Sequence, residues 1–139
     1  LLENRFVPVV ASLGADESGR VLNINADTIA AEIAGALPAE KLFLFSNVSG
    51  ILKDVKDPAS RFSYLTEDAA EDLLRQKAVS GGMIPKVSAA IQAVRKGVKR
   101  VHIMNGLEKN ALLYEVFTVK GLGTMVLDRH EEAAYRAQG

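Results

Sequence analysis

Short apolar runs rich in β-branched residues alternate along this chain with stretches in which apolar residues recur every three or four positions. Phe6-Val7-Pro8-Val9-Val10-Ala11 is one such run, and it predicts a strand buried on both faces of a parallel sheet, with Pro8 at its start or edge. Asp16-Glu17-Ser18-Gly19 supplies turn residues, and Arg20-Val21-Leu22-Asn23-Ile24 alternates as a half-buried strand does. Together they predict a hairpin near the amino terminus. From Asn25 the period changes. Ile29, Ile33 and Leu37 fall four apart beside Ala30, Ala34 and Ala36, which predicts an amphipathic helix capped by Asn25 or Asp27 and stopped before Pro38.

Lys41-Leu42-Phe43-Leu44-Phe45-Ser46 predicts a second buried strand, left through the loop Asn47-Val48-Ser49-Gly50. Asp54 to Arg61, with Asp57-Pro58, reads as a surface excursion. Thr66 opens a helix whose first turn is acidic (Glu67, Asp68) and whose last is basic (Arg75, Lys77), matching the helix dipole at both ends. A further helix is predicted from Pro85 to Lys96, with Gly97 as its stop. Val101-His102-Ile103-Met104 is a third strand, Ala111 to Phe117 a helix, Thr124-Met125-Val126-Leu127 a final strand, and the tail from Arg129 an exposed helix. Strands alternating with helices predict an α/β fold, a three-layer αβα domain around a mainly parallel sheet that takes in residues 1–139 as one domain. Ligands of such sheets gather beyond the carboxyl ends of the strands, so the loops after Ser46, Val79 and Met104 are the ones to watch.

Composition narrows the function classes. A chain of 139 residues can bury roughly two-thirds of its unfolded surface, enough for a core. With 24% charged residues and a formal net charge of +0 there is no basic surplus to meet a nucleic-acid backbone. There is no cysteine, hence no disulfide framework, thiolate metal site or thiol nucleophile. No apolar run reaches the roughly 20 residues that span a bilayer, and no targeting segment opens the chain, so no membrane partner and a cytoplasmic location are expected. Leu1-Leu2-Glu3-Asn4 reads as the last turn of a helix already under way, and the chain as a piece of a longer protein.

Two constellations carry candidate chemistry. Asn23-Ile24-Asn25-Ala26-Asp27 places three polar side chains at a strand–helix junction; taken alone it reads first as two turn asparagines and a capping aspartate. Ser80-Gly81-Gly82-Met83-Ile84-Pro85-Lys86 puts two glycines and free amides at a helix start, with Lys86 near the positive end of the dipole, where a bound anion would offset its cost. The same heptapeptide reads equally well as an ordinary glycine loop with a surface lysine. Ser46 to Ile51 and Gly121-Leu122-Gly123-Thr124 are weaker signals, the latter because it precedes a strand where a dinucleotide fingerprint follows one. No Gly-x-x-x-x-Gly-Lys segment is present, which excludes a P-loop. His102 and His130 read as a satisfied and a solvated histidine.

In order and spacing, Phe6 to Val10, Asn23 to Asp27, Ser46 to Leu52, Gly81 to Lys86, Val101 to Ile103 and Phe117 to Met125 resemble the carboxyl-terminal half of the amino-acid kinase family, in particular its acetylglutamate-phosphorylating branch. The resemblance implies a carbamate kinase-like fold and the ATP-dependent phosphorylation of the side-chain carboxylate of N-acetyl-L-glutamate to an acyl phosphate, a step of arginine biosynthesis, with Mg2+ on the nucleotide. It implies roles by position: Lys86 and Asp27 catalytic; Asn23 and Asn25 at the acyl-amino-acid substrate; Ser46, Asn47, Val48, Ser49, Gly50, Ile51, Leu52, Ala78, Val79, Ser80, Gly81, Gly82 and Met83 around the nucleotide; and no metal ligands. The family's amino-terminal half, with a glycine-rich phosphate loop and a second lysine, is absent here, so the fragment alone is expected to be inactive and the whole protein to be a homo-oligomer. The alternatives are a kinase for a related acylated amino acid such as an aminoadipate derivative, and a non-catalytic regulatory or assembly module that kept the fold. This chain departs from the family at Asn47, where many relatives carry aspartate, and over Asn105 to Asn110. It departs also at Lys120, where arginine-inhibited relatives tend to carry an acidic residue, which predicts weak arginine feedback.

Overall fold

The computed structural model describes residues 2–118 and 121–137; Lys120, on which the arginine expectation rests, lies outside them. After a single 3-10 turn at Leu2–Asn4, the chain forms a hairpin of β1 (Leu13–Ala15) and β2 (Val21–Asn23), antiparallel with Leu13 opposite Asn23. Asp16 makes the turn: its Oδ1 accepts from the amides of Ser18 and Arg20, both at 3.0 Å, while Gly19 takes the positive φ of 82° that closes it. The hairpin is where the sequence predicts it, but its first strand is not. Phe6 to Ala11 forms no strand, and Val9 stands 95% exposed. An apolar run becomes a strand only where a neighbour accepts its backbone hydrogen bonds, and none of the described residues offers one to this segment.

The main sheet has four strands in the order β3 (Lys41–Ser46), β5 (Arg100–Asn105), β6 (Thr124–Leu127) and β4 (Tyr64–Thr66). β3 pairs parallel with β5 from Lys41 opposite Arg100 to Ser46 opposite Asn105; β4 pairs parallel with β6, and β5 and β6 run antiparallel. Sequence reading misses β4, whose three residues are too short to establish a period. It also takes β3 for a buried strand, whereas β3 is an edge and leaves Phe45 about half exposed.

Alternation along β3 and β5 sends Leu42, Leu44, Val101 and Ile103 to one face and Phe43, His102 and Met104 to the other. On the first face lie α1 (Ala26–Ala36), α2 (Glu67–Arg75) and α3 (Met83–Arg95), around a core that includes Ala31, Ala34, Leu65, Val87, Ala90, Ala93, Val94 and Val126. On the second lie α4 (Ala111–Phe117) and α5 (Arg129–Arg136): Glu115 meets His102, and Tyr135 packs edge-on against Tyr64 with ring centres 5.2 Å apart.

The inward face of α1 is not the predicted one. Ala31 and Ala34 are buried, while Ile33 and Leu37 face outward, Leu37 at 59% exposure. Close approach to the alanine-rich α3 selects small side chains; at Gly35 a Cβ would come within 2.7 Å of the Lys96 Cβ. The two helices run side by side in the same direction, as the contacts Asp27 to Lys86 near their starts and Glu32 to Gln92 further on require. Their amino-terminal ends therefore lie together.

Candidate functional site

α1 begins where Asn25 caps it, its Oδ1 accepting from the amides of Asp27 (2.9 Å) and Thr28 (3.3 Å). That cap sets Asp27 in the first turn, the end of a helix where a carboxylate is favoured. α3 begins at Met83, two residues earlier than Pro85 predicts, with Gly82 at the cap position and no side-chain cap. Lys86 thus sits in the first turn of α3, where a cation is disfavoured. Because the helices start side by side, Lys86 Nζ donates to both oxygens of Asp27, at 2.9 and 3.1 Å. The side chains are only 18% and 17% exposed, so the pair is partly desolvated and each charge depends on the other. An ammonium carries three N–H donors, and this grip leaves one for a ligand.

Lys86 also lines a cavity of about 480 Å3 at the carboxyl end of β3. Among the residues the family resemblance assigns to a nucleotide, Ser46, Asn47, Val48, Gly50 and Leu52 form one wall, and Ala78, Val79, Ser80, Gly82 and Met83 the other. Ser49, Ile51 and Gly81 lie outside the lining, and Ile51 is buried in the core. Phe45 and Val55 line it without having been singled out. The only signal at Val55 is one β-branched residue in a mostly polar excursion. The loop after Met104 does not reach the cavity; it ties back to β3, the Gly106 amide donating to the Ser46 carbonyl at 2.9 Å. Apolar side chains (Val48, Leu52, Val55, Val79, Met83) cover much of the wall, suited to a flat ring system, with one ammonium at the margin.

The start of α3 offers fewer free amides than predicted. Met83 and Ile84 donate to the Ser80 and Gly81 carbonyls, at 3.3 and 3.2 Å, and Pro85 has no N–H. The amides of Gly81 and Gly82 have no protein acceptor among the described residues. Gly81 holds a φ of 57°, and a Cβ on either glycine would meet nothing within 4 Å, so both leave room for a ligand against the backbone. Asn23, at the end of β2, and Asn25 are exposed and line no part of this cavity; Asn25 Oδ1 is taken up by its cap.

The wall between Gly50 and Leu52 is held from behind. Thr124, fully buried at the start of β6, accepts from the Ile51 amide at 2.9 Å and donates to the Phe62 carbonyl at 2.7 Å. Arg61 donates to the carbonyl of Gly123. Gly50, at φ 133°, lies so close that a Cβ would sit 2.5 Å from Thr124 Oγ1.

A second cavity of about 480 Å3 opens on the other face of the sheet, between β3, β5, α4 and α5, away from the Asp27–Lys86 pair. His102 is there, stacked on Phe43 at 4.9 Å, its Nδ1 bonded to Glu115 Oε1 at 2.7 Å. The reading of His102 as satisfied is half right, since its buried Nε2 has no partner. Burial alone would raise the Glu115 carboxyl pKa, but the bonds from His102 and from the amides of Leu122 (2.5 Å) and Gly123 (2.9 Å) outweigh it and hold the group below its ordinary value. Among the described residues there is no cluster of three or more histidine, cysteine or acidic side chains able to hold a metal, and no helix long and apolar enough to cross a membrane.

The chain is similar to known proteins in both sequence and fold. The sequence profile of the amino acid kinase family matches residues 1–105. An acetylglutamate kinase of Methanosarcina acetivorans is 46% identical over 126 residues, which cover 91% of this chain and 42% of that protein. The chain therefore spans about two-fifths of the length of such curated relatives. Among solved structures, an N-acetylglutamate synthase from Neisseria gonorrhoeae superposes with a TM-score of 0.74 at 30% identity, over 85% of this chain and 27% of that one. A carbamate kinase from Giardia lamblia shares the fold, with a TM-score of 0.63 at 20% identity over 81% of this chain and 36% of that one.

Proposed function

This chain belongs to the amino acid kinase family, and we propose that it is the nucleotide-binding, carboxyl-terminal half of a kinase that transfers the γ-phosphoryl group of ATP to the side-chain carboxylate of N-acetyl-L-glutamate. The observation that carries the reading is the Asp27–Lys86 pair on the margin of a cavity whose walls come from the loops after Ser46 and Val79. The choice of acceptor is supported by likeness to acetylglutamate kinases that match 91% of the chain.

In the transfer, an acceptor carboxylate oxygen forms the new bond to γ-phosphorus while the bond to the β,γ-bridging oxygen breaks and ADP leaves. A carboxylate needs no proton removed, so no general base is required. Lys86 neutralises charge that gathers on the equatorial oxygens, using the N–H that Asp27 leaves free. Asp27 is a positioning residue: it keeps the ammonium at the cavity margin and relieves the cost of a cation at a helix start. Val48, Leu52, Val55, Val79 and Met83 exclude water around the base, and the amides of Gly81 and Gly82 are the donors available to phosphate oxygens. Magnesium bound with the nucleotide would offset charge on the phosphates; among the described residues no cluster of histidine, cysteine or acidic side chains stands ready to hold it.

The test is ADP release by the chain joined to its amino-terminal part, with N-acetylglutamate, an N-acylated aminoadipate, glutamate, aspartate, carbamate and UMP as acceptors. N-acetylglutamate is expected to be preferred, and Lys86→Ala to lower kcat by about 10²–10³ with the fold intact. The likeness to an N-acetylglutamate synthase favours one second reading, in which the same fold serves a different activity. Under that reading Lys86→Ala leaves activity unchanged and no acceptor releases ADP.

A further inference from the structure

Between Ser46 and Leu52 the chain is a loop, and half of one cavity wall depends on it. A loop keeps a fixed shape only if its buried polar groups find partners, and the Ile51 amide, beside a side chain 1% exposed, finds its partner 73 residues away. That partner is Thr124 Oγ1. The same hydroxyl donates a hydrogen bond to the Phe62 carbonyl, so one oxygen ties the cavity loop to the segment that returns from the 54–61 excursion. Thr124 has little freedom of its own. It lies in an interior strand paired opposite Ile103, the preceding Gly123 carbonyl is held by Arg61, and the Gly123 amide by Glu115. Gly50 presses on Thr124 with the one residue type that fits there.

We propose that Thr124 is a positioning residue for the nucleotide site: it touches no ligand itself and sets the height of the Gly50–Leu52 wall by holding the Ile51 amide. The proposal rests on the reading of this cavity as a nucleotide site. An amide left without its acceptor in the core costs enough to move the loop, and the loop's displacement is paid in nucleotide affinity.

The experiment compares Thr124→Val, Thr124→Ser and Thr124→Cys with wild type in the chain joined to its amino-terminal part. It measures KM for ATP, KM for the acceptor, kcat and thermal melting. Valine keeps the shape and removes both hydrogen bonds, serine keeps the hydroxyl, and cysteine keeps the size with a weak donor and acceptor. KM for ATP is expected to rise about tenfold in Thr124→Val, to rise severalfold in Thr124→Cys and to stay near wild type in Thr124→Ser, with acceptor KM unchanged in all three. Lower melting temperatures with ATP KM unchanged would make Thr124 a core residue only and overturn the proposal. If Thr124→Val does not fold, the comparison of cysteine with serine decides, equal ATP KM values overturning the proposal. Wild-type protein that neither binds nor consumes ATP would overturn the function itself, and the proposal with it; a wild type that turns over beside an indifferent Thr124→Val removes the proposal alone.

Discussion

Lys86 and Asp27 stand 59 residues apart in the chain and form one unit in the fold. Each corrects a fault in the other's setting, since Lys86 at a helix start would be disfavoured and a half-buried Asp27 would be costly alone. Glu115 is a second residue whose value lies in its connections. It joins α4 to β5 through His102 and to the approach to β6 through the amides of Leu122 and Gly123, with its side chain 4% exposed. Its carboxyl is held below the ordinary value of 4.5, so the stability it contributes is fully present above that value and is lost as pH falls through the lower folded-state value. Wild type is therefore expected to lose melting temperature more steeply below about pH 4.5 than Glu115→Gln does, with the variant less stable by about 1–3 kcal/mol near neutrality. Melting curves of both proteins from pH 7 to pH 3 measure the difference.

Capping and close packing decide where the helices present these groups. Asn25 closes the start of α1 two residues before Asp27, so the cap and the ion pair are mechanically joined. Asn25→Ala is expected to cost about 1 kcal/mol of stability and Asn25→Asp to restore most of it, read from chemical denaturation. Close packing of α1 on α3 does the rest: buried alanines at 31, 34, 90 and 93 keep these helices thin in the shared core, Gly35 leaves no room for a Cβ beside Lys96, and the two first turns share a salt bridge. Replacing these with larger apolar residues would keep the pattern and separate the pair. Strands obey a different limit. β3 is cohesive because β5 pairs with its full length, while Phe6 to Ala11, also apolar, stays exposed and finds no pairing strand among the described residues.

Taken whole, the molecule gathers its candidate chemistry at one end of the sheet and leaves a large amount of apolar surface elsewhere, on Phe6 to Val10, Leu13, Val21 and the outer side of α4. A chain that spans 42% of a matched relative would be expected to carry such surface, and to hold only part of a two-sided site. The 139 residues alone are accordingly expected to bind ATP weakly, with a small thermal shift that grows with nucleotide concentration, and to make no acyl phosphate. Addition of the amino-terminal part should restore turnover, and hydroxylamine trapping of the acyl phosphate reads both results.

Much of this was legible from the order of residues. Helix starts and stops are written in local chemistry, in Asn25, Thr66 and Gly97, because a cap involves only neighbours in the chain. Strand ends and paired glycines marked the loops after Ser46 and Val79 only weakly; the resemblance to the amino acid kinase family supplied the individual residues, most of which line the cavity. What periodicity could not reach is every property that belongs to a pair of distant segments. It could not say that β3 is an edge and β6 is antiparallel to β5, that α1 buries alanines instead of isoleucine and leucine, or that Phe6 to Ala11 pairs with no strand among the described residues. Thr124 is the sharpest case, a small polar residue at the end of a Gly121-Leu122-Gly123-Thr124 stretch that local pattern marks only as a weak signal and gives no role of its own. Its hydroxyl acquires meaning only when folding brings the Ile51 amide to it, because a hydrogen bond depends on a distance of 2.9 Å in space and on nothing in the intervening sequence.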